Sequence, residues 1–281
     1  VQTLLEVLQK TEAYFAKAGL ERPKADAQWL FAHVLGCRRL DLFLQYDRPM
    51  TDEHLERLRP LVRRRAQDRE PMQYVVGSTE FYGLTLKVDR RALIPRPETE
   101  ELVDLLVQRY GDAPPERVVD LGTGTGAIAL ALAQAWPNAQ VLAIDSSRDA
   151  LALAKENATA LGLERVGFRH GSWLEPLRGP VDLIVSNPPY LTAEEMQTAE
   201  AEVAQHEPHS ALASGADGLD DLRVIIAGVP QWLKPGGLLV LETGIAQHET
   251  LRELVEAAGL QGFESVPDLS GRDRFVLARQ A

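Results

Sequence analysis

Apolar residues in the first quarter of the chain recur at three- and four-residue spacing: Leu4, Leu5 and Leu8, Tyr14 and Phe15, Trp29, Leu30 and Val34, then Leu55, Leu58, Leu61 and Val62. That period predicts helices that each bury one face. Gly19, Pro23, Gly36 and Pro49 punctuate the stretches, and Thr51 ahead of Asp52 and Glu53 reads as a helix N-cap. A small helical bundle over residues 1–73 is the expectation. From Tyr74 to Leu86, β-branched and aromatic residues broken by Gly77 and Gly83 predict a β-hairpin, and Pro95-Arg96-Pro97 closes a linker spanning 74–97.

After Glu98 the period changes. Short apolar runs at Arg117–Asp120, Gln140–Ile144, Val166–Arg169, Asp182–Ser186 and Leu238–Glu242 alternate with helical stretches, which predicts an α/β domain over residues 98–281 around a mostly parallel sheet. Phe263–Val266 and Phe275–Ala278, separated by the turn-rich Asp268-Leu269-Ser270-Gly271, should add an antiparallel pair at one edge. No internal repeat or low-complexity tract is present.

At 281 residues and 45% hydrophobic content, the chain can bury one large core and leave about 80 to 100 residues for a second domain. The longest apolar runs, such as Leu238–Leu241, fall far short of the roughly 20 residues that cross a bilayer. The segment from Val1 to Lys10 lacks the basic start and apolar stretch of a secretory signal. A single cysteine, Cys37, reads as a buried small apolar residue and suits a reducing cytoplasm. The net charge of −11 argues against general affinity for phosphate backbones. Residues 1–73 hold 13 Lys and Arg against 11 Asp and Glu, leaving 17 against 30 for the rest, so the acid lies in the α/β half.

Asp120-Leu121-Gly122-Thr123-Gly124-Thr125-Gly126 lies between a strand and an apolar helix starting near Ala127. Alternating glycines let the backbone turn tightly and approach a nucleoside-type cofactor at the first crevice of the sheet. Asp145 ends the next strand, where a carboxylate can accept hydrogen bonds from both ribose hydroxyls. This suits NAD and S-adenosylmethionine equally. Asp120 tilts the choice, because an acid there suits a cationic sulfonium and sits poorly beside a pyrophosphate, although it also fits a plain loop-capping role. Trp173, after the third strand, offers a ring to an adenine or serves as an ordinary core residue.

Asn187-Pro188-Pro189-Tyr190 follows the strand ending at Ser186 and should open on the same crevice. An amide nitrogen is a poor nucleophile because its lone pair is delocalised, so a catalyst must hold the NH₂ group and aim it. Asn187 supplies a side-chain carbonyl for one N–H. The prolines lack N–H groups and fix φ, so the Pro188 carbonyl can remain free for the other, and Tyr190 can stack on the planar group. The tetrapeptide therefore predicts methyl transfer to a planar nitrogen of a base or a side chain. His170, His206 and His209 lack ligand spacing, and no metal is expected.

The chain resembles the glutamine methyltransferases of peptide-chain release factors, the HemK/PrmC group. The likeness runs through Glu80-Phe81-Tyr82-Gly83, Ile94-Pro95-Arg96-Pro97-Glu98-Thr99-Glu100, Asp120–Ala129, Asn187–Tyr190, Glu207-Pro208 with Ala211-Leu212, and Gly271-Arg272-Asp273-Arg274. The tetrapeptide is shared with adenine and cytosine N-methyltransferases; the Pro-Arg-Pro-Glu-Thr-Glu stretch narrows the choice. The resemblance implies a class I, Rossmann-like methyltransferase domain with a seven-stranded sheet, preceded by a helical domain that helps grip the substrate. It implies S-adenosyl-L-methionine as cofactor, S-adenosyl-L-homocysteine as product, and the glutamine of the Gly-Gly-Gln motif in class 1 release factors as substrate.

By the same resemblance Gly122, Thr123, Gly124, Thr125, Gly126, Asp145 and Trp173 would bind the cofactor, with Asn187 beside them. Asn187, Pro188, Pro189 and Tyr190 would hold the glutamine amide, with Asn187, Pro188 and Tyr190 catalytic, and Arg96 and Glu98 would shape the pocket. The apolar residue facing Tyr190 across the amide is left between Leu93 and Ile94. Arg57, Arg59, Arg63, Arg64, Arg65 and Arg69 could meet an acidic partner but read better as a solvated helix face. A cytoplasmic monomer with no direct nucleic-acid or membrane partner is expected. The alternatives are an adenine methyltransferase of nucleic acid and a cofactor-sensing module without turnover.

Overall fold

The structure is a computed structural model that describes residues 2–281, and it divides into two compact units. One runs to Ser78 and takes in Glu200–His206; the other comprises Thr79–Ala199 and Glu207–Ala281.

In the first unit the helical period folds as α1 (Leu4–Lys17), α2 (Pro23–Leu35), a 3₁₀ segment (Arg39–Gln45), α3 (Asp52–Ala66) and α4 (Met72–Val76). Thr51 caps α3 by accepting from the His54 N–H at 3.2 Å. Leu4, Leu8, Phe15, Leu30, Phe31, Val34 and Leu58 fill the core. Two residues expected there point outward: Trp29 is 46% exposed and Tyr14 40%. Each precedes a buried residue, Leu30 and Phe15, and one residue along a helix is a turn of roughly 100° away from the buried stripe. Trp29 instead lies beneath the Arg39 guanidinium, 5.2 Å from its ring centre. Cys37 is half-buried against the core, less enclosed than its reading as a core residue implied.

The arginine run is only partly a solvated face. Arg65 is buried and binds Asp26 at 2.7 Å and Glu202 at 2.9 Å, while Arg69 also reaches Glu202 and Arg64 holds Glu70. Glu202 lies in α9 (Ala201–His206), a segment remote in sequence that belongs to this unit. The local sequence could not announce that return, because the helical pattern ends more than a hundred residues earlier. Tyr74–Val76, expected within the hairpin, form the end of α4, which Gly77 terminates in the left-handed conformation at φ +79°.

The hairpin proper is β1 (Ser78–Phe81) and β2 (Leu84–Lys87). The second unit continues with α5 (Pro97–Tyr110), β3 (Arg117–Leu121), α6 (Ala127–Ala135), β4 (Gln140–Asp145), α7 (Arg148–Ala160), β5 (Gly167–His170) and β6 (Val181–Ser186). It ends with α8 (Ala193–Thr198), α10 (Asp220–Gly228), β7 (Leu233–Glu242), α11 (His248–Ala257), β8 (Gln261–Pro267) and β9 (Asp273–Arg279). The seven strands run in the order β5-β4-β3-β6-β7-β9-β8, parallel except for β9, which is antiparallel to both its neighbours. β7 begins earlier than its apolar run: Leu233 pairs with Val181 before an irregularity over the Pro-Gly-Gly turn, and regular pairing resumes at Leu238.

One hydrophobic cluster covers each face of the sheet. Val118, Val141, Leu183, Val185 and Leu238 meet α5, α6 and the hairpin's Phe81, Leu84 and Leu86, while Val119, Ile144, Ile184 and Leu239 meet α10 and α11. Burial on both faces explains why the strands read as unbroken apolar runs rather than alternating ones. The chain leaves β3 for β4 on one side and returns to β6 on the other, so a crevice opens between the C-terminal ends of β3 and β6.

Within the first unit, Arg65→Ala should lower unfolding free energy by about 3 kcal/mol, because it strands the buried carboxylate of Asp26 and leaves Glu202 with Arg69 alone. Urea unfolding measures this, and a change of a few tenths would mean that water already compensates those charges.

Candidate active site

The register of the sheet brings the glycine loop and the tetrapeptide together. Leu121 pairs with Ser186 and also with Ile144, so Gly122 and Asn187 begin adjacent loops and Asp145 stands beside them. The Ser186 hydroxyl ties the two exits together by donating to the Leu121 carbonyl at 2.7 Å.

Gly122, Gly124 and Gly126 all have positive φ, between +56° and +86°. At Gly122 the need is also spatial: a Cβ would come within 3.2 Å of the Trp173 ring. Thr123 and Thr125 are buried in the loop. Asp120 lies beneath it, fully buried, with Oδ2 accepting from the Thr123 hydroxyl at 2.6 Å and the Ala129 N–H at 3.2 Å. It therefore performs the loop-capping role. Its other oxygen, Oδ1, is buried without a hydrogen-bond partner among the described residues. Burial pushes this carboxyl up to about 7.

The two oxygens of Asp145 accept from the Gly124 and Ser147 N–H groups at 2.9 and 2.8 Å, leaving further lone pairs for ribose hydroxyls. Burial raises its pKa as well. Trp173 holds φ at +42°, a strained backbone for an aromatic residue, and its Nε1–H donates to Asp221 Oδ1 at 3.1 Å. One carboxylate beneath a glycine turn and another beside its middle glycine, an orphaned buried oxygen and an indole over the first glycine form a set that fits a nucleoside carrying a cationic sulfonium. Those residues would hold S-adenosylmethionine.

Pro188 and Pro189 are buried, and Asn187 and Tyr190 half-buried. The loop is fixed from behind. Leu191 exchanges backbone bonds with Leu212 and Ser214, and Gln247 Nε2 donates to the Tyr190 carbonyl at 3.1 Å. A Cβ at Gly218 would lie 2.2 Å from that carbonyl oxygen, so only glycine fits there. Ser214 in turn donates to Asp221, which links the anchor of the tetrapeptide to the residue that holds Trp173. Among the described residues, none donates a hydrogen bond to the Pro188 carbonyl or to Asn187 Oδ1.

Three residues not singled out from the sequence complete the site. Asn187 Nδ2 donates to Thr99 Oγ1 at 3.1 Å, and the Thr99 hydroxyl donates to Glu242 Oε2 at 2.7 Å. The Tyr190 hydroxyl lies 3.3 Å from Glu242 Oε1 and donates to it. Arg274 sits over the Tyr190 ring, 5.9 Å from its centre. Burial pushes Glu242 up to about 7 and, with Glu242 alongside, pushes the Tyr190 phenol above its usual range, which keeps it a donor. Thr99 and Arg274 fall inside the stretches Pro95–Glu100 and Gly271–Arg274, and Glu242 closes a strand. An acid at the buried end of an apolar strand was the available signal.

Arg96 and Glu98 face different partners. Arg96 pairs at 2.6 Å with Glu207, a buried carboxylate that also accepts from the Ile94 N–H, whereas Glu98 meets Arg272 at 3.3 Å. Ile94 is buried and Leu93 half-buried. His170 bonds the Ser146 carbonyl and His206 the Asp68 carbonyl.

The sequence matches two families: the PrmC N-terminal domain over residues 6–77 and the methyltransferase small domain over residues 99–219. Over nearly its whole length it is similar to the release factor glutamine methyltransferase of Geobacter sulfurreducens, 41% identical across 99% of this chain and 97% of that one. The chain belongs to the release factor glutamine methyltransferase family. The member from Deinococcus radiodurans is 44% identical across 99% of both chains. A methyltransferase from Pyrococcus furiosus shares the fold, with a TM-score of 0.54 and 15% identity over 71% of this chain and 90% of that one. The seven-stranded sheet is accordingly the class I methyltransferase fold. Among the described residues no helix is long and apolar enough to cross a membrane, and no cluster of His, Cys, Asp or Glu could hold a metal ion.

The buried Asp120 makes stability depend on pH. Below about 3.8 the carboxyl is protonated whether the chain is folded or not; as pH rises toward 7 only the unfolded chain ionises, so folded-state stability falls across that window. Asp120→Asn should flatten this slope while preserving the bonds to Thr123 and Ala129. Thermal midpoints recorded from pH 4 to 7 check it; equal slopes in both proteins would mean the carboxyl titrates normally.

Proposed function

We propose that this methyltransferase transfers the methyl group of S-adenosyl-L-methionine to the side-chain amide nitrogen of the glutamine in the Gly-Gly-Gln motif of class 1 peptide chain release factors. The observation that carries the reading is the pair of unengaged acceptors, Asn187 Oδ1 and the Pro188 carbonyl, on a stiff turn beside the glycine loop. A carboxamide NH₂ carries two donors in one plane and meets both. The substrate follows from the relatives' shared name and from the chain's likeness to them over nearly full length.

When bound, S-adenosylmethionine would supply a methyl carbon activated by its sulfonium, and Asp145, Asp120 and the loop from Gly122 to Gly126 would hold and orient it. Asn187 and Pro188 grip the two amide hydrogens, and Tyr190 covers the planar group, so the nitrogen faces the methyl carbon. As the nitrogen–carbon bond forms, the carbon–sulfur bond breaks with its electron pair going to sulfur, leaving the neutral thioether product; the nitrogen, now cationic, passes its surplus proton to a neighbouring carbonyl or to water. The site holds no strong base, nor does it need one. Holding reactants in line is worth up to about 7–11 kcal/mol of barrier in favourable systems. Pro189 stiffens the turn, Arg96 fastens the stretch before α5 through Glu207, and Glu98 lies at the Arg272 loop, which suits both for shaping the substrate entry.

Labelled cofactor incubated with a class 1 release factor and, separately, with duplex DNA should mark only the protein. Peptide mass spectrometry should find one added methyl on the Gly-Gly-Gln glutamine; label in DNA alone would overturn the assignment. Asn187→Ala should abolish transfer and leave cofactor affinity within a few-fold, while Asp145→Ala should weaken cofactor binding at least about tenfold through lost ribose contacts. Calorimetry separates the two; unchanged affinity in Asp145→Ala would remove the ribose role.

A further inference from the structure

We infer that Glu242 and Thr99 are positioning residues that set which end of the Asn187 carboxamide faces the substrate. This deepens the proposed reading and rests on it, because it matters only if Asn187 Oδ1 receives an amide hydrogen. The geometry works through proton counting. Thr99 has one hydroxyl proton, and it points at Glu242 Oε2, 2.7 Å away. Its oxygen can then only accept toward Asn187, so the Asn187 NH₂ turns to Thr99 at 3.1 Å and the carbonyl end is left for the incoming amide. The same carboxylate takes the Tyr190 hydroxyl on Oε1, so one group aligns both the gripping and the covering residue.

A proton on Glu242 reverses the relay. Oε2–H would donate to Thr99, whose hydroxyl would donate to Asn187; the amide would turn over and present NH₂ to an NH₂. Two donors would then face each other, and the substrate nitrogen would lose its acceptor. The groups facing Glu242 are Thr99 and Glu98 on α5, Tyr190 on the loop after β6, and Arg274 on β9. Glu98 favours the proton, and Arg274 and the two hydroxyl donors oppose it. Only 1% of Glu242 is exposed, and burial brings its titration to about 7, within reach of an ordinary assay range.

The test combines Thr99→Val, Thr99→Ser and Glu242→Gln with two readouts. The first is kcat/KM against pH with a release factor. The second is binding of a Gly-Gly-Gln peptide to enzyme saturated with S-adenosylhomocysteine, at pH 6 and pH 8. Wild type should lose activity and peptide affinity as pH falls through about 7. Thr99→Val should lower both about tenfold at pH 8 and flatten the acid limb, since the relay is cut; the tenfold corresponds to one lost orienting bond. Thr99→Ser should restore both the level and the limb, which a packing role for the threonine methyl would not do. Glu242→Gln should show no acid limb, since its amide has no proton to gain in that range. Wild-type behaviour of Thr99→Val in both readouts, or an unchanged acid limb in it, would overturn the inference. An active Asn187→Ala would instead sink the underlying reading, and an inactive one beside a fully active Thr99→Val would sink the inference alone.

Discussion

The site depends on one constraint of sheet topology: β3 ends between β4 and β6, and the chain leaves it toward one and reaches the other only later. Leu121 is therefore paired in register with both Ile144 and Ser186, and three loops leave the sheet at one level. Given the register, the glycine turn is delivered between Asp145 and Asn187, at the ends of neighbouring strands whose own positions are fixed by burial on both faces.

What was legible in the sequence follows the range over which each signal acts. Strands at Arg117, Gln140 and Val181 announce themselves locally, because a strand sandwiched between helices must be apolar throughout. The glycine loop and the Asn-Pro-Pro-Tyr turn are likewise written in consecutive residues, and their backbone demands can be read without knowing their neighbours. Trp29 and Tyr14 misled because adjacency to a buried residue imitates membership of the apolar stripe. Tyr74–Val76 misled because β-branched residues also fit a single helical turn capped by glycine.

The polar partners were a different matter. Thr99, Glu242 and Arg274 come from a helix, a parallel strand and the antiparallel strand beside it, separated by up to 175 positions. Their hydrogen bonds obey ordinary rules, but no short-range pattern encodes that a threonine at the start of α5 will meet an acid at the end of β7. The return of Glu202 to the helical unit is of the same kind, since its meaning appears only once Arg65 and Asp26 are beside it. Resemblance to relatives preserved some of these residues inside recognisable stretches while leaving their purpose unstated.

The double proline has a consequence for molecular discrimination. A turn that offers two carbonyl oxygens and no backbone N–H between them is a surface of lone pairs alone. A carboxamide nitrogen meets it with two hydrogens, but a carboxylate of the same shape meets it with lone pairs of its own and finds no donor to offset its lost hydration. Glutamine and glutamate differ by hardly any volume, so a pocket relying on shape could not tell them apart. In the proposed binding mode, a side chain that has suffered deamidation is refused by the Pro188 carbonyl and the Asn187 carboxamide oxygen together.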